Sequence, residues 1–278
     1  MARQDFDDGQ FETVSMFPAP PTAVKRLMIV YSIVFAICVL LYVVSKESFV
    51  VAEHALALTP EQWRAHAPWV PVWQIATYGF LHDIGTPWHL LGNLLTLYFF
   101  GSMLEREFGA TRFLILFFVS QVIGGLVFLG LELALGQPRM VIGASGGCFG
   151  VMVATAALWP TRRCILMFVP VTLRTLALIF VGVELYSFLM TLRGLDDDPV
   201  AHVVHLGGAI YGFVAARTGL ITWDPVRAVA KRRVEKAVEN AAEDERRMDQ
   251  LLEKIHREGM ASLSKGEREF LKRVSSRR

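Results

Sequence analysis

Long apolar runs limit the folds open to this chain more than any other property. Residues 27–45 carry no charged side chain, and as an α-helix they would extend roughly 28 Å, enough to cross the hydrocarbon core of a bilayer. Only 19% of the 278 residues are charged and 53% are hydrophobic, so lipid rather than water is the expected solvent. We therefore predict an all-α polytopic membrane bundle of six transmembrane helices at residues 27–45, 88–104, 113–135, 141–160, 173–192 and 200–220.

The distribution of Lys and Arg among the short loops predicts the orientation of these helices. One set of basic residues falls on the same side as the basic C-terminal tail: Arg3, Lys25, Arg26, Arg106, Arg112, Arg162 and Arg163. A smaller set falls on the other side: Lys46, Arg64, Arg139 and Arg193. Both termini are therefore expected to be cytoplasmic, in a multi-pass protein of a bacterial inner membrane. Topology and anionic lipid explain the basic tail, so no nucleic-acid partner is expected.

The predicted membrane domain, residues 27–222, lies between two polar end segments. Residues 1–26, with several acidic residues and prolines, are predicted to form a disordered cytoplasmic N-terminus. Residues 223–278 form a tail in which one helix ends at Gly259 and a capping box from Ser264 to Glu267 begins a second helix. We expect a cytoplasmic helical hairpin, which serves docking or regulation or is a solvated appendage. Its partner is unknown.

A loop of about forty residues separates the first two predicted membrane helices, and it contains Trp63, Trp69 and Trp73. Such a length exceeds that of a simple connection. Because tryptophan favours the membrane interface, the loop is interpreted as an interfacial segment, with an ordinary folded outer loop as the alternative. His82 near its end is interpreted as a surface histidine, with support of a nearby site as the second interpretation.

Residues 143–147 read G-x-S-x-G around Ser145. In a soluble α/β-hydrolase this pattern forms a strained turn between a strand and a helix. No alternation of strands and helices surrounds it here, because apolar runs of membrane-spanning length lie on both sides. Close packing of transmembrane helices through small residues is the alternative explanation for the glycines.

Three polar residues are predicted to lie at one depth in the membrane. Asn93, Ser145 and His205 each lie four or five residues inside predicted helices that start from the outer face, which places them roughly 6 to 8 Å below that surface. His205 could act as a general base for Ser145 or pack as a hydrogen-bonded core histidine. Together with His89, the group supplies a nucleophile, a base and two donors for a developing oxyanion.

Four motifs in their expected order give the chain a resemblance to the rhomboid family of intramembrane serine proteases. They are H-x-x-x-N at residues 89–93, G-x-x-x-E-x-x-x-G at 101–109, G-x-S-G at 143–146 and H-x-x-G-x-x-x-G at 205–212. The resemblance covers residues 27–220 and leaves the tail outside. It implies transmembrane proteins as substrates, cleaved within the lipid bilayer without a cofactor or metal.

The resemblance also implies a role for each motif residue. Ser145 would be the nucleophile and His205 its base, in a dyad without a third acidic member. The oxyanion hole would comprise the Ser145 N–H and the side chains of Asn93 and His89, supported by Gly143. Glycines 208 and 212 would allow the sixth helix to approach the fourth.

Two departures from the family pattern concern the surroundings of the site. Trp73-Gln74 stands where the family often has Trp-Arg, and Val204 replaces an alanine commonly found before the base. They put in question the placement of the outer loop and the packing of the sixth helix. Glu184 in the fifth predicted helix is interpreted either as a binding group for a partner or water or as a structural hydrogen-bonding residue.

Two other functions compete with proteolysis. A catalytically inactive relative that binds membrane helices is disfavoured because both Ser145 and His205 are present. A metal site or transporter could use the four histidines His82, His89, His202 and His205. It is disfavoured because no carboxylate or thiolate is expected at matching depth. His202, one turn before His205, ranks second as a candidate base.

Overall fold

A computed structural model describes residues 19–136, 138–166, 169–193, 202–222 and 225–275. Most of the predicted N-terminal segment and the first two residues of the predicted sixth helix lie outside this description. The chain divides into two compact units, Met1–Trp223 and Asp224–Arg278. The all-α prediction is confirmed, apart from a short antiparallel hairpin of β1 (Arg163–Leu166) and β2 (Val169–Thr172).

The helices of the first unit follow the predicted order. They are α1 (Thr22–Val44), α2 (Lys46–Leu56), α3 (Pro60–Ala65), α4 (Gln74–Thr77), α5 (Pro87–Thr96), α6 (Ser102–Phe108), α7 (Ala110–Leu135), α8 (Ser145–Leu158), α9 (Leu173–Leu192) and α10 (His202–Thr218). A π-helical turn, Leu97–Gly101, joins α5 to α6, so the helical backbone continues through both. Short 3₁₀ turns follow α4 and α10, at Tyr78–Phe80 and Leu220–Thr222.

Within the described residues, three helices are long and apolar enough to cross a membrane, namely α1, α7 and α9. The apolar helix α8 has only 14 residues, and α10 has 17. The chain is therefore an integral membrane protein, whereas six crossings stay a prediction. Large apolar side chains such as Leu40, Val43 and Leu178 are more than half exposed on α1 and α9, as expected of surfaces that face lipid.

The predicted start of the fourth membrane helix at Val141 was wrong. The backbone of Val141 pairs with that of Leu58 in the outer loop through two hydrogen bonds of 3.1 Å, and the Gly143 N–H donates to the Tyr78 carbonyl at 3.0 Å. These bonds hold residues 141–144 outside the helix, which begins at Ser145. Ser145 therefore lies at a helix N-terminus rather than one turn inside a helix.

Glu105, from the second of the four motifs, fixes the beginning of α1. Its two carboxylate oxygens accept the backbone N–H groups of Ala23 and Val24, each at 2.8 Å. N–H groups in the first turn of a helix have no partner within the helix, so this buried carboxylate acts as a cap supplied by another helix. The motif thereby joins α1 to α6.

Gln74 holds the outer loop together. Its side chain is fully buried; its oxygen accepts from the Thr59 N–H at 3.2 Å and the Trp63 indole N–H at 3.1 Å. Its amide nitrogen donates to the Gln62 side-chain oxygen at 2.8 Å and the His54 carbonyl at 3.2 Å. Although glutamine replaces the arginine common in the family, the loop is folded, and Trp69 remains 88% exposed on its surface.

The second unit is a helical hairpin of α11 (Pro225–Glu258) and α12 (Lys265–Ser275), with a 3₁₀ turn at Met260–Ser262. Gly259, at φ +81°, ends α11. The predicted capping box is present: the Glu267 N–H donates to Ser264 Oγ at 3.3 Å and the Ser264 N–H to Glu267 Oε2 at 2.7 Å. These hydrogen bonds lower the pKa of the Glu267 carboxyl to about 2. Three buried apolar residues form the hairpin's core, namely Leu251, Leu263 and Phe270.

Candidate active site

Ser145 and His205 lie in direct contact across two helices. The Nε2 atom of His205 on α10 is 2.7 Å from the Oγ atom of Ser145 at the start of α8. Phe149, one turn after Ser145, stacks on the His205 imidazole with ring centroids 4.5 Å apart and planes 6° from parallel. This stacking holds the imidazole plane in place. Its Nε2 atom therefore stays directed at the hydroxyl.

Glycines allow α8 and α10 to approach closely enough for this contact. A Cβ atom added at Gly208 would overlap the carbonyl of Gly146, and one at Gly212 would overlap the carbonyl of Gly150. No side chain larger than hydrogen therefore fits at these two positions of α10. The helix contact that the spacing of the glycines predicted is present in the structure.

Gln121 of α7 holds the segment on either side of Ser145. Its Nε2 donates to the Gly143 carbonyl at 2.7 Å, and its Oε1 accepts from the Gly147 N–H at 2.7 Å. The side chain is 3% exposed, so these bonds are shielded from water. The sequence analysis did not identify Gln121, although an amide within a long apolar helix is a signal that could have found it.

Gly143 adopts a backbone conformation with φ +118°, which residues with a side chain rarely adopt. A Cβ at this position would come 2.7 Å from His89 Nε2 and 3.7 Å from Ser145 Oγ. The missing side chain thus leaves room for the His89 imidazole beside the serine. Of the predicted site residues, Gly143, His89, Ser145 and His205 are brought together around this point.

Asn93 is buried on α5 and bonded to a second histidine. Its Nδ2 is 3.0 Å from His82 Nε2, and the two histidine rings, His82 and His89, lie 5.2 Å apart. The interpretation of His82 as a surface residue was wrong, since it is only 3% exposed. Burial, followed by the neighbouring His89, lowers the pKa of His82 to about 4. The neutral ring can accept a hydrogen from Asn93, whose second amide hydrogen remains available.

The second candidate base, His202, does not contact Ser145. Its Nδ1 lies 2.7 Å from Oε2 of Glu184 on α9, and the same oxygen is 2.8 Å from Nδ1 of His205. A carboxylate does therefore lie at the depth of the histidines, which corrects the argument that excluded a metal site. The ligand atoms of these three residues lie within 4.8 Å of one another. The four-histidine set considered from sequence is divided, because His82 bonds Asn93 instead.

This arrangement contains the groups that acyl transfer requires. A hydroxyl bonded to an imidazole is an activated nucleophile. Because Ser145 begins α8, the first N–H groups of the helix have no acceptor in a preceding turn, and the helix dipole adds partial positive charge there. A negatively charged oxygen near Ser145 would meet these N–H groups together with Asn93 and His89.

Comparison with known proteins places the membrane unit in a family. Residues 71–221 match a family model described as Rhomboid domain, and residues 235–277 match one described as a family of unknown function. The chain is 35% identical over 142 residues to RHOMBOID-like protein 4 of Arabidopsis thaliana. It is 31% identical over 150 residues to Rhomboid protein 1, mitochondrial, of Saccharomyces cerevisiae, and 28% identical over 146 residues to Rhomboid protease GluP of Bacillus subtilis.

These alignments cover about half of this chain, at 51%, 52% and 52%, and 32%, 40% and 25% of the three relatives. The chain thus spans less than half the length of the relatives it matches. They include plant and mitochondrial proteins beside a bacterial one, so the expected bacterial membrane stays a prediction. Since the Rhomboid model matches more than half of the 278 residues, this chain belongs to the rhomboid family.

Proposed function

We propose that this protein is an intramembrane serine protease that hydrolyses peptide bonds in or near transmembrane helices of other membrane proteins. The observation that carries the proposal is the 2.7 Å contact between His205 Nε2 and Ser145 Oγ. It occurs within a Rhomboid domain, and named proteases are among the relatives of this chain.

In the proposed reaction, Ser145 Oγ attacks the scissile carbonyl carbon while His205 Nε2 takes the hydroxyl proton. The tetrahedral oxyanion is stabilised by the Ser145 N–H and the side chains of Asn93 and His89. The leaving amine takes the proton from His205, and an acyl-enzyme remains. Water then gives a proton to His205 and attacks the ester carbon, which releases the carboxylic acid product and regenerates Ser145.

Hydrolysis requires water at a site that helices surround. Ser145 follows a segment bonded to the outer loop, through Val141 to Leu58 and Gly143 to Tyr78, and this connection supports access from the outer aqueous side with both termini cytoplasmic. The substrate helix would enter from the lipid. Its backbone carbonyls are bonded within the helix, so residues that weaken helices should favour cleavage where they occur.

Cleavage of a model transmembrane substrate by the full chain in liposomes tests the proposal. The wild-type protein is expected to cut the substrate with or without a chelator, and Ser145→Ala is expected to lower kcat by at least about 10³-fold. Ser102→Ala is the matched control, since Ser102 is also buried and its hydroxyl has no hydrogen-bond partner among the described residues.

Two results would contradict proteolysis by Ser145. Cleavage that persists in Ser145→Ala, or that a chelator abolishes, would transfer the chemistry to another group. Binding of the substrate helix by the wild-type protein without any product would instead support the inactive, helix-binding alternative.

A further inference from the structure

Glu184 is a carboxylate inside an apolar helix that neither the proposed reaction nor the packing of α9 requires. Its side chain is 12% exposed, although most of the large apolar residues around it on α9 face outward. An ionisable group within a membrane helix is costly unless it is paired. Glu184 is paired with the two histidines of the first turn of α10, His202 and His205.

We infer that Glu184 is a positioning residue for His205, a third member of the site that acts through the base rather than on the substrate. The inference rests on the proposed function. It differs from the dyad that the family resemblance implied, because the carboxylate lies 2.8 Å from Nδ1 of His205, the ring nitrogen that faces away from Ser145.

The required protonation state of His205 identifies what Glu184 does. Nε2 can take the serine proton only if it carries no hydrogen, so in the neutral ring the hydrogen must be on Nδ1. Among the described residues, Nδ1 has no partner at good hydrogen-bonding angles. The carboxylate lies at hydrogen-bond distance but off the axis of the N–H bond. Its negative charge therefore favours hydrogen on Nδ1 and stabilises the imidazolium formed when Ser145 attacks.

His202 holds the carboxylate in this place. The Nδ1 of His202 bonds the same Oε2 atom at 2.7 Å, and both histidines are buried. Since His202 and His205 are three residues apart on α10, they present their rings on one face of the helix. One carboxylate oxygen therefore links two imidazoles, and the second histidine restrains Glu184 from rotating toward lipid.

The separations favour hydrogen bonding over a bound metal ion. The carboxylate oxygen is 2.7 and 2.8 Å from the two ring nitrogens. Ligands about 2.0 Å from a tetrahedral zinc ion would be about 3.3 Å apart. The three side chains are therefore arranged as a carboxylate accepting from two imidazoles, and a metal that occupied them would block the Nδ1 contact.

Steady-state cleavage by Glu184→Gln in liposomes tests this role, because the change removes the charge and keeps the shape. The expected result is a kcat lowered by about 100-fold with KM within about twofold of the wild-type value. Glu132→Gln is the matched control: it also removes a buried carboxylate, which pairs instead with Arg139, and it is expected to leave both constants unchanged.

A spectroscopic measurement separates positioning from a general loss of structure. The ¹⁵N chemical shifts of His205 at neutral pH are expected to show hydrogen on Nδ1 in the wild-type protein and a mixture of the two tautomers in Glu184→Gln. An unchanged kcat overturns the inference, and so does a lowered kcat with an unchanged tautomer. Activity that rises on addition of a chelator also overturns it, since the three residues would then hold a metal.

The same experiment distinguishes this inference from the proposed function. If the wild-type protein fails to cleave, the proposed function fails and the catalytic role of Glu184 fails with it. If the wild-type protein cleaves, Ser145→Ala does not, and Glu184→Gln matches the wild type, only the role of Glu184 is overturned.

Discussion

Gly208 on α10 lies directly against the backbone of Gly146 on α8, with no space for a methyl group between them. Gly146 follows the candidate nucleophile, and Gly208 is three residues after the candidate base. The distance between the two helices therefore determines the distance between the two reacting groups.

Replacement of Gly208 by alanine should separate Ser145 from His205. Because the methyl group would meet backbone rather than a flexible side chain, we expect the helices to move apart. A displacement of about 1 Å lowers the cleavage rate by about 100-fold, and the strain lowers the free energy of unfolding by about 1–3 kcal/mol. Gly130→Ala on α7 is the control, since no atom lies within 4 Å of a Cβ there. Equal cleavage rates for the two variants would contradict this account.

Replacement of Gln121 by leucine tests whether its two bonds hold the serine segment. The change leaves the Gly143 carbonyl and the Gly147 N–H without their buried partner, and each unsatisfied group costs about 1–3 kcal/mol. We expect a lower unfolding temperature and a loss of cleavage of about 10- to 100-fold. Ser120→Ala is the control, because the buried Ser120 hydroxyl has no partner among the described residues. A Gln121→Leu protein as active as this control would show that the segment holds its shape unaided.

The buried His82 predicts that acid destabilises the membrane unit. Its pKa is lowered from 6.5 to about 4, so between these pH values the unfolded chain binds a proton that the folded protein does not. Stability therefore falls as the pH is lowered from about 6.5 to 4, by about 3 kcal/mol in total from this group. Unfolding in detergent micelles across this range should show a weaker pH dependence for His82→Gln than for the wild-type protein.

His66→Gln is the matched control for this measurement, since His66 is exposed in the outer loop. It should retain the full pH dependence of the wild-type protein. If His82→Gln also retains it, another group is responsible for the acid sensitivity.

Removal of one acceptor from Glu105 should loosen the beginning of α1. Glu105→Gln keeps one oxygen for the N–H groups of Ala23 and Val24, where the native carboxylate supplies two. We expect the free energy of unfolding to fall by about 1–2 kcal/mol, and hydrogen exchange to become faster in the first turn of α1. Glu107→Gln, which changes a neighbouring exposed carboxylate, should leave both measurements unchanged.

Some of the candidate site could be predicted because its residues belong to short motifs. Ser145, His205, His89, Asn93 and the closely packed glycines follow from spacing within single segments and from the family resemblance that the spacing carries. His82 was misinterpreted because its burial depends on contacts from α5 and the outer loop. The start of α8 was misplaced because apolar residues at 141–144 read as helix until the outer loop offers them backbone partners.

The amino-acid sequence by itself determined that this chain enters a membrane and which residues carry its motifs, because apolarity, helix length and residue spacing are properties of neighbours along the chain. Only the tertiary structure decided that Gln121 holds the serine segment and that Glu184 meets His202 and His205. Those contacts join different helices, and they depend on which helix faces meet and at what depth. No single segment carries that information.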